Sequence, residues 1–155
     1  MIALLFAVAL AAAPPSAMVG TWTLDVAASS DVAPVLEKLG IPGFLGKAAG
    51  SSTQTVAIQG ERLVVAVDGS LGDRTETVDL SGAEPVTGSF FGYEFRVVPR
   101  LVGDTIVAAG TIRIGGKDQL FVSRRSVSGS VMTVDTTIGT GADEVTLRRV
   151  FRKVG

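Results

Sequence analysis

The sequence predicts an all-β domain, a ten-stranded antiparallel up-and-down β-barrel, from three observations. The chain of 155 residues contains 19 glycines, many of them at breaks between short segments rich in Val, Ile, Thr and Phe. The breaks are spaced as in successive hairpins, and long crossovers between the segments are missing. The length also suits one domain with a substantial core. A barrel closes such a series of strands, removes its edges and can enclose a ligand cavity.

The first 17 residues resemble an export signal. They carry no charge, run apolar from Ile2 to Ala13, and have small residues suited to cleavage near positions 11–13 and at Ala17. The apolar run is short for a membrane span of about 20 residues. We therefore predict a signal peptide over residues 1–17 and a barrel domain over residues 18–155, in the periplasm or secreted. The alternatives are an apolar extension packed on the domain, because a positively charged start is missing, and a cytoplasmic protein.

Two short helices are predicted between the first two strands. The first strand is expected over residues 19–26, with Trp22 plugging the closed end of the barrel. Asp31 suits the N-cap of a helix that Gly40 ends. Its apolar stripe consists of Val32, Val35, Leu36 and Leu39. A second helix is expected over residues 42–49, with Phe44 and Leu45 as its apolar residues and two glycines that each lower its stability by about 1 kcal/mol.

Later strands are predicted between successive glycine-rich or polar breaks. The clearest are residues 62–68, 105–114, 119–127, 131–138 and 144–153, which are rich in β-branched and aromatic residues. With the first strand, about ten strands are expected.

Composition excludes several classes of function. Lys and Arg total 14 against 15 Asp and Glu, so the chain lacks the basic excess of a nucleic-acid-binding protein. It contains neither cysteine nor histidine. A thiolate nucleophile, an imidazole base and an ordinary zinc site are therefore excluded. We predict no metal, no cofactor and no nucleic-acid partner.

Two arginines are predicted to face the interior. Arg149 lies on the alternating stripe Val145, Leu147, Arg149, Phe151. Arg124 lies on an earlier stripe, Leu120, Val122, Arg124, Ser126. A guanidinium stays charged in a protein, and burying it without a partner is costly. Either an acidic side chain or an anionic ligand should therefore meet each arginine.

Several motifs occur in an order that resembles the intracellular fatty-acid-binding proteins of the calycin superfamily. They are Gly-Thr-Trp at 20–22, Val-Leu-Glu-Lys-Leu-Gly at 35–40, Ser-Arg-Arg at 123–125 and Leu-Arg-Arg-Val-Phe-Arg-Lys at 147–153. The resemblance covers residues 19–154. It implies a β-clam capped by a helix-turn-helix lid, in which two arginines and a tyrosine hold a fatty-acid carboxylate. Arg124 and Arg149 match the arginines, and Phe151 stands at the tyrosine position, which removes a hydrogen bond of about 1–3 kcal/mol.

The resemblance implies a non-enzymatic protein that binds and transports a hydrophobic monocarboxylate such as a fatty acid. The family is typically cytosolic, so this chain would be a divergent, exported member. We expect a monomer whose contact with membranes is transient at most. The expected ligand site comprises Arg124, Arg149, Phe151, Val122, Leu147, Thr133 and Asp135. The expected portal comprises Val35, Leu36, Phe44 and Leu45.

Three alternatives stay open on the sequence alone. Asp135 lies on the alternating face with Val131, Thr133 and Thr137, and it could neutralise one arginine without any ligand. A barrel enzyme acting on a lipid-like substrate could use Asp135 or Glu76 with an arginine. A filled barrel could instead serve as a protein-interaction module. A cavity well below the roughly 300 to 1,000 Å³ of small-molecule sites would favour that last alternative.

Overall fold

A computed structural model describes residues 15–48, 51–69, 72–82 and 84–155, which form ten strands and two short helices. The helices are α1 (Val32–Lys38) and α2 (Phe44–Ala48), and both lie between the first two strands. The strands are β1 (Gly20–Leu24), β2 (Ser52–Gln59), β3 (Arg62–Gly69), β4 (Arg74–Asp79), β5 (Val86–Phe90), β6 (Tyr93–Val102), β7 (Thr105–Ile114), β8 (Lys117–Ser128), β9 (Val131–Ile138) and β10 (Val145–Lys153). Short 3-10 turns cover Ser16–Met18 and Gly141–Asp143.

All ten strands belong to one antiparallel sheet that curls into a nearly closed barrel. Their order is β4-β3-β2-β1-β10-β9-β8-β7-β6-β5, so β4 and β5 are its two edges. The predicted all-β, up-and-down architecture with a helical pair after β1 is confirmed. Most of the predicted signal peptide, residues 1–14, lies outside the described residues, so that assignment and the domain boundary stay predictions. No helix among the described residues is long and apolar enough to cross a bilayer.

The helical pair begins and packs for identifiable local reasons. The carboxylate of Asp31 accepts a hydrogen bond from the backbone N–H of Ala33 at 3.3 Å, as expected of an N-cap. Gly40 follows α1 with a φ of 78°, a conformation that glycine adopts without strain. A Cβ at Gly46 would lie only 3.2 Å from Val32 Cγ1. The helix α2 begins two residues later than predicted, and Gly46 lets it approach α1 closely.

One end of the barrel is filled by an apolar cluster around Trp22, which we call the base cluster. Its buried members are Met18, Trp22, Val56, Leu63, Val65, Val67, Ile106, Met132 and Phe151. The indole Nε1 donates a hydrogen bond to the Met18 carbonyl at 3.0 Å, so this buried polar atom is satisfied. The predicted role of Trp22 as a plug is confirmed.

The other end is filled by a second apolar cluster, the lid cluster, which joins the helical pair to the barrel. Its buried members are Leu36, Leu39, Ile41, Val97, Ile112, Ile114, Phe121, Ile138 and Val145. Phe121 also stacks on Phe95, with ring centroids 4.8 Å apart, and meets Phe90 edge-on at 5.9 Å. Aromatic rings therefore occupy much of the space beneath the lid.

A layer of polar side chains separates the two clusters. Along β8 the inner face reads Phe121, Ser123, Arg125, Val127, and so passes from the lid cluster through two polar residues toward the base cluster. The polar layer, as we define it, comprises Ser52, Gln54, Arg74, Glu76, Ser123, Arg125, Thr136 and Arg149. This layer contains the candidate site.

Candidate functional site

Two arginines occupy one transverse row on the inner face of the sheet. Arg149 of β10 pairs with Val134 of β9, and Arg125 of β8 pairs with the same Val134 from the other side. Neighbouring strands lie about 4.8 Å apart, so the two Cα atoms are separated by about 10 Å. Long guanidinium side chains on such a row can approach one ligand from two sides.

Arg124 lies on the outer face and is exposed, so the prediction that it faces the interior is wrong. It pairs with Asp135 across the β8–β9 hairpin. Successive residues of a strand alternate between faces, so the next residue, Arg125, takes the interior position. The structure therefore has two inward arginines, as expected, but one differs from the expected residue.

Asp135 also lies on the outer face, where it forms a bidentate ion pair with Arg148. Its two carboxylate oxygens accept hydrogen bonds from Nε and Nη2 of Arg148 at 2.8 and 2.9 Å. This pairing raises the pKa of Arg148 above its usual value. The predicted inward orientation of Asp135 is therefore wrong, and Asp135 does not neutralise Arg149.

Two further predicted site residues share this outer face. Thr133 pairs with Val150, and Val122 pairs with Thr137. Hydroxyls of the outward Thr137 and Thr146 lie 3.4 Å apart at the exposed surface. The predicted stripe through Val122 was shifted by one residue, and a shift of one residue moves every side chain to the opposite face.

The predicted stripe of β10 is correct. Leu147 and Phe151 are buried on the inner face with Arg149. The guanidinium carbon of Arg149 lies 5.5 Å from the centre of the Phe151 ring, within the range of a cation–π contact. Phe151 therefore faces the cation directly, at the position where the resemblance implied a tyrosine.

Arg125 is held deep in the polar layer. Its Nη1 donates a hydrogen bond to Oε1 of Gln54 at 2.8 Å and also contacts Sδ of Met132 at 3.3 Å. Burial lowers the pKa of Arg125 to about 10. The negative charge of Glu76 opposes this shift, and the positive charge of Arg149 adds to it. The guanidinium therefore remains charged at neutral pH, in surroundings that stabilise its charge poorly.

The other charged residues of the polar layer are Arg149 on β10 and the pair Arg74 and Glu76 on the edge strand β4. Burial lowers the pKa of Arg149, and the nearby Arg74 lowers it further. Arg74 and Glu76 lie on the inner face of β4, with Arg74 Nε 2.7 Å from Glu76 Oε1. Within the described residues, neither Arg125 nor Arg149 forms an ion pair with a carboxylate. Three arginines against one glutamate give this layer two excess positive charges.

A pocket of about 60 Å³ lies beside Arg149. Its lining residues are Ser51, Ser52, Val67, Gly69, Gly72, Arg74, Ser89, Phe90, Phe91 and Arg149. The pocket is far smaller than the roughly 300 to 1,000 Å³ of typical small-molecule sites. A larger depression of about 510 Å³ runs along β2–β4 and is mostly lined by outward residues such as Thr53, Thr55 and Thr75. We place the candidate site in the first pocket because the inward, half-buried Arg149 lines it.

The four predicted portal residues occupy different environments. Leu36 is fully buried in the lid cluster, and Val35 and Leu45 pack against that cluster. Phe44 is 70% exposed. Phe44 therefore does not contribute to the inner face of the lid, whereas Leu36 anchors the lid to the barrel.

Sequence reasoning missed Arg125, Gln54, Ser52 and Arg74 as site residues. Arg125 was visible as the second arginine of the motif at 123–125, on a stripe that contains Phe121. Ser52, Gln54 and Arg74 carried no recognisable signal, because isolated polar residues near strand ends are usual at the surface. Within the described residues, no three Asp or Glu side chains come together as a metal site.

The fold can be compared with known proteins. No protein-family profile and no curated protein sequence matches the chain. The fatty-acid-binding protein of Schistosoma mansoni, solved in complex with arachidonic acid, matches 91% of this chain and 98% of its own, with a TM-score of 0.73 and 19% identity. Lipid-binding protein 8 of Caenorhabditis elegans matches 92% of this chain and 99% of its own, with a TM-score of 0.72 and 14% identity.

A third similar structure is the zebrafish ileal bile-acid-binding protein in complex with cholic acid. It matches 90% of this chain and 100% of its own, with a TM-score of 0.66 and 16% identity. Identities this low establish the fold alone. The chain has the β-clam fold of the fatty-acid-binding and lipid-binding proteins, as the resemblance in its sequence implied.

Proposed function

We propose that the protein binds a hydrophobic monocarboxylate inside the barrel, with the carboxylate between Arg125 and Arg149. The observation that carries this proposal is the pair of half-buried, inward cations on one row, both without an ion-pairing carboxylate among the described residues. Buried charges in proteins are normally paired. An anionic ligand would supply the missing partner through charge-assisted hydrogen bonds.

The tail of such a ligand would supply most of the affinity. Each buried methylene contributes about 0.8 kcal/mol before the costs of ordering. The pocket of about 60 Å³ cannot hold a long acyl chain. Tail binding therefore requires the rings of Phe90, Phe95 and Phe121 to move aside. The arginines would mainly orient the ligand and select anions.

Calorimetric titration with palmitate tests this proposal. The protein is first delipidated, and wild type is compared with Arg149→Leu and Arg125→Leu. We expect measurable binding by wild type and at least about tenfold weaker binding by each variant, since a lost charge-assisted hydrogen bond costs about 1.5–3 kcal/mol. Arg124→Leu is the matched control, because that adjacent arginine is outward and exposed.

Two outcomes would contradict the proposal. Wild-type protein that binds no palmitate would exclude it. If Arg124→Leu weakens binding as much as Arg125→Leu, the assignment of the head group to the inner arginines is wrong. Mass spectrometry of material extracted from the purified native protein would identify the ligand that the cell provides.

The small size of the pocket favours one second candidate, a filled barrel that acts as a protein-interaction module. It predicts no uptake of palmitate at any concentration below micelle formation, together with an unchanged melting temperature in its presence. The same titration therefore decides between the two functions.

We further propose a non-enzymatic role in transport, as an exported monomer. The carboxylates suggested for catalysis are engaged in ion pairs, Asp135 with Arg148 on the outer face and Glu76 with Arg74, which favours a non-enzymatic role. Met18 is buried, and its carbonyl accepts the hydrogen bond of the Trp22 indole. This favours signal cleavage before Met18, so that Met18 stays in the exported protein. N-terminal sequencing of the exported protein checks this, and a full-length cytoplasmic protein would contradict it.

A further inference from the structure

The pocket beside Arg149 contains a polar atom that has no partner among the described residues. Ser52 Oγ is buried and forms no hydrogen bond with any residue that the structure describes, and Ser52 is 8% exposed. Ser52 lines the pocket together with Arg74 and Arg149. Leaving a buried hydroxyl unsatisfied destabilises the folded protein, and a ligand that accepts its hydrogen bond removes that cost. A hydroxyl and two guanidinium groups that line one small pocket provide a set of donors suited to an anion.

The charge of the polar layer exceeds that of one carboxylate. Arg74, Arg125 and Arg149 carry three positive charges, and Glu76 carries one negative charge. A bound monocarboxylate would leave one positive charge of the layer without a counter-charge, with Arg74 partly in contact with solvent. A head group with two negative charges would balance the layer, and the attraction of charges is stronger at low dielectric.

The volume of the pocket agrees with a compact head group of more than three atoms. A water-sized group needs about 10–15 Å³ of such space. The pocket of about 60 Å³ is several times this minimum, so it has room for a head group of several heavy atoms. The head group of a phosphate monoester has five heavy atoms when its ester oxygen is counted, three of them terminal oxygens, whereas a carboxylate has three heavy atoms and two oxygens.

We infer that the pocket lined by Ser52, Arg74 and Arg149 binds the phosphoryl group of a phosphate monoester, so that the barrel prefers an alkyl phosphate to a fatty acid of equal length. This inference rests on the proposed function, since it assumes that an alkyl tail enters the barrel. It adds the edge strand β4 to the head-group site.

Glu76 opposes the bound anion in this arrangement. Its carboxylate oxygen Oε1 accepts a hydrogen bond from Nε of Arg74 at 2.7 Å. The other N–H donors of that guanidinium can then bind a ligand. Removing the negative charge of Glu76 should therefore strengthen anion binding. A substitution that merely damaged the fold would weaken binding instead.

The direct test compares dodecyl phosphate with laurate on the delipidated full chain by calorimetry. At about pH 7.5 the phosphate is largely dianionic, because its second pKa is about 6. We expect dodecyl phosphate to bind at least about tenfold more tightly than laurate, and this ratio to fall at about pH 5.5. An excess of inorganic phosphate, which lacks a tail, should not displace dodecyl phosphate.

Variants assign the preference to the pocket. Ser52→Ala and Arg74→Gln should lower the ratio of the two affinities, while Glu76→Gln should raise the affinity for dodecyl phosphate. Arg62→Gln is the control, since Arg62 is exposed on the outer face of β3 and only 3.8 Å from Asp79. Thermal melting of each variant verifies the fold.

Each outcome bears on one claim. If laurate binds as tightly as dodecyl phosphate, the inference is wrong and the proposed function stands. If neither ligand binds, the proposed function fails as well. If inorganic phosphate alone displaces dodecyl phosphate with equal affinity, the pocket is a free-phosphate site and the tail has no role, which also overturns the inference. An unchanged affinity ratio in both Ser52→Ala and Arg74→Gln would exclude this pocket.

Discussion

Arg125 donates a hydrogen bond to Oε1 of Gln54 at 2.8 Å, which links β8 to β2 across the interior of the barrel. The two strands are separated by β1, β10 and β9 in the sheet, so this contact spans the lumen. It crosses between the base cluster and the lid cluster. The guanidinium is thereby fixed where a ligand head group would meet it.

Gln54→Leu should destabilise the protein because it removes the acceptor from a buried cation. We expect the free energy of unfolding to fall by about 1–3 kcal/mol. Urea denaturation measures this change. Gln59→Leu is the control, since Gln59 is exposed at the end of β2. Equal stability of Gln54→Leu and wild type would show that the hydrogen bond contributes nothing.

Arg149→Met should stabilise the protein and weaken ligand binding. A half-buried cation without an ion pair among the described residues costs free energy, and apolar replacements of buried charges are often stabilising, so we expect a gain at the low end of the usual range of about 1–4 kcal/mol. The same cation is proposed to hold the ligand carboxylate. Arg124→Met on the outer face should change stability by less than about 0.5 kcal/mol. A clear loss of stability in Arg149→Met would mean that the cation is already compensated in the folded protein.

The sequence was sufficient to predict the number of strands, the helical pair and the inward stripe of β10. It was insufficient to choose between Arg124 and Arg125, because both stripes of β8 mix apolar and polar residues. The strand register determines which arginine faces inward. Arg124 lies opposite Asp135 on β9, and Asp135 lies opposite Arg148 on β10. These three charged residues form one exposed row, so Arg125 lies inside.

Other parts of the site depend on contacts between distant strands, which no local pattern reveals. Gln54 and Arg125 are 71 positions apart. Taken alone, neither residue differs from a polar residue on an ordinary strand. The small size of the pocket could not be predicted either, because it depends on how Phe90 and Phe91 pack against each other in its lining. The alternation of side chains is encoded locally, whereas the filling of the interior is decided by tertiary packing.

Gly110→Ala should strongly destabilise the β6–β7 pair. A Cβ at Gly110 would overlap the carbonyl oxygen of Arg96 and lie 2.8 Å from Cα of Val97. Backbone atoms cannot yield as a flexible side chain can, so we expect a loss of about 3 kcal/mol. Thermal or urea denaturation measures it. Gly129→Ala, in an open turn with a φ of 61°, should lose only about 1 kcal/mol. Similar losses in both variants would contradict the packing argument.

Asp73→Asn should make the stability of the protein less sensitive to pH. Hydrogen bonding to Asp73 and its negative charge raise the pKa of Asp68 above 3.8. A raised pKa in the folded state adds stability that is present below pH 3.8 and is lost as the pH rises through the folded-state value. Asp73→Asn removes the like charge, so the variant should be more stable than wild type at neutral pH.

Thermal melting at several pH values checks this prediction. The advantage of Asp73→Asn should disappear as the pH falls below 3.8, because Asp68, whose pKa is raised in the folded protein, is then protonated and no longer repelled. Asp104→Asn, in the exposed β6–β7 turn, provides the control. A variant with the same advantage at every pH would show that charge repulsion is not the cause.

Phe91→Asn should stabilise the protein and accelerate ligand uptake. Phe91 has a φ of 48°, and it forms a two-residue hairpin turn with Gly92, whose φ is 86°. Asn suits this conformation better than Phe, so relief of strain should add about 1 kcal/mol to the free energy of unfolding. The ring of Phe91 lines the pocket and meets Phe90 edge-on at 4.7 Å. Its removal should open the pocket near the β4 and β5 edges.

Stopped-flow mixing with a fluorescent fatty acid measures the uptake rate. Phe44→Asn is the comparison, because Phe44 is an exposed aromatic residue on α2, where the sequence predicted the portal. Faster uptake in Phe91→Asn alone would place the entrance at the β5–β6 turn, beside Arg74 and Arg149. Faster uptake in Phe44→Asn alone would place it at the helical lid. The ring of Phe91 also packs against the lid cluster, which offsets the strain of its backbone, so an unchanged uptake rate in Phe91→Asn would mean that the ring serves packing alone.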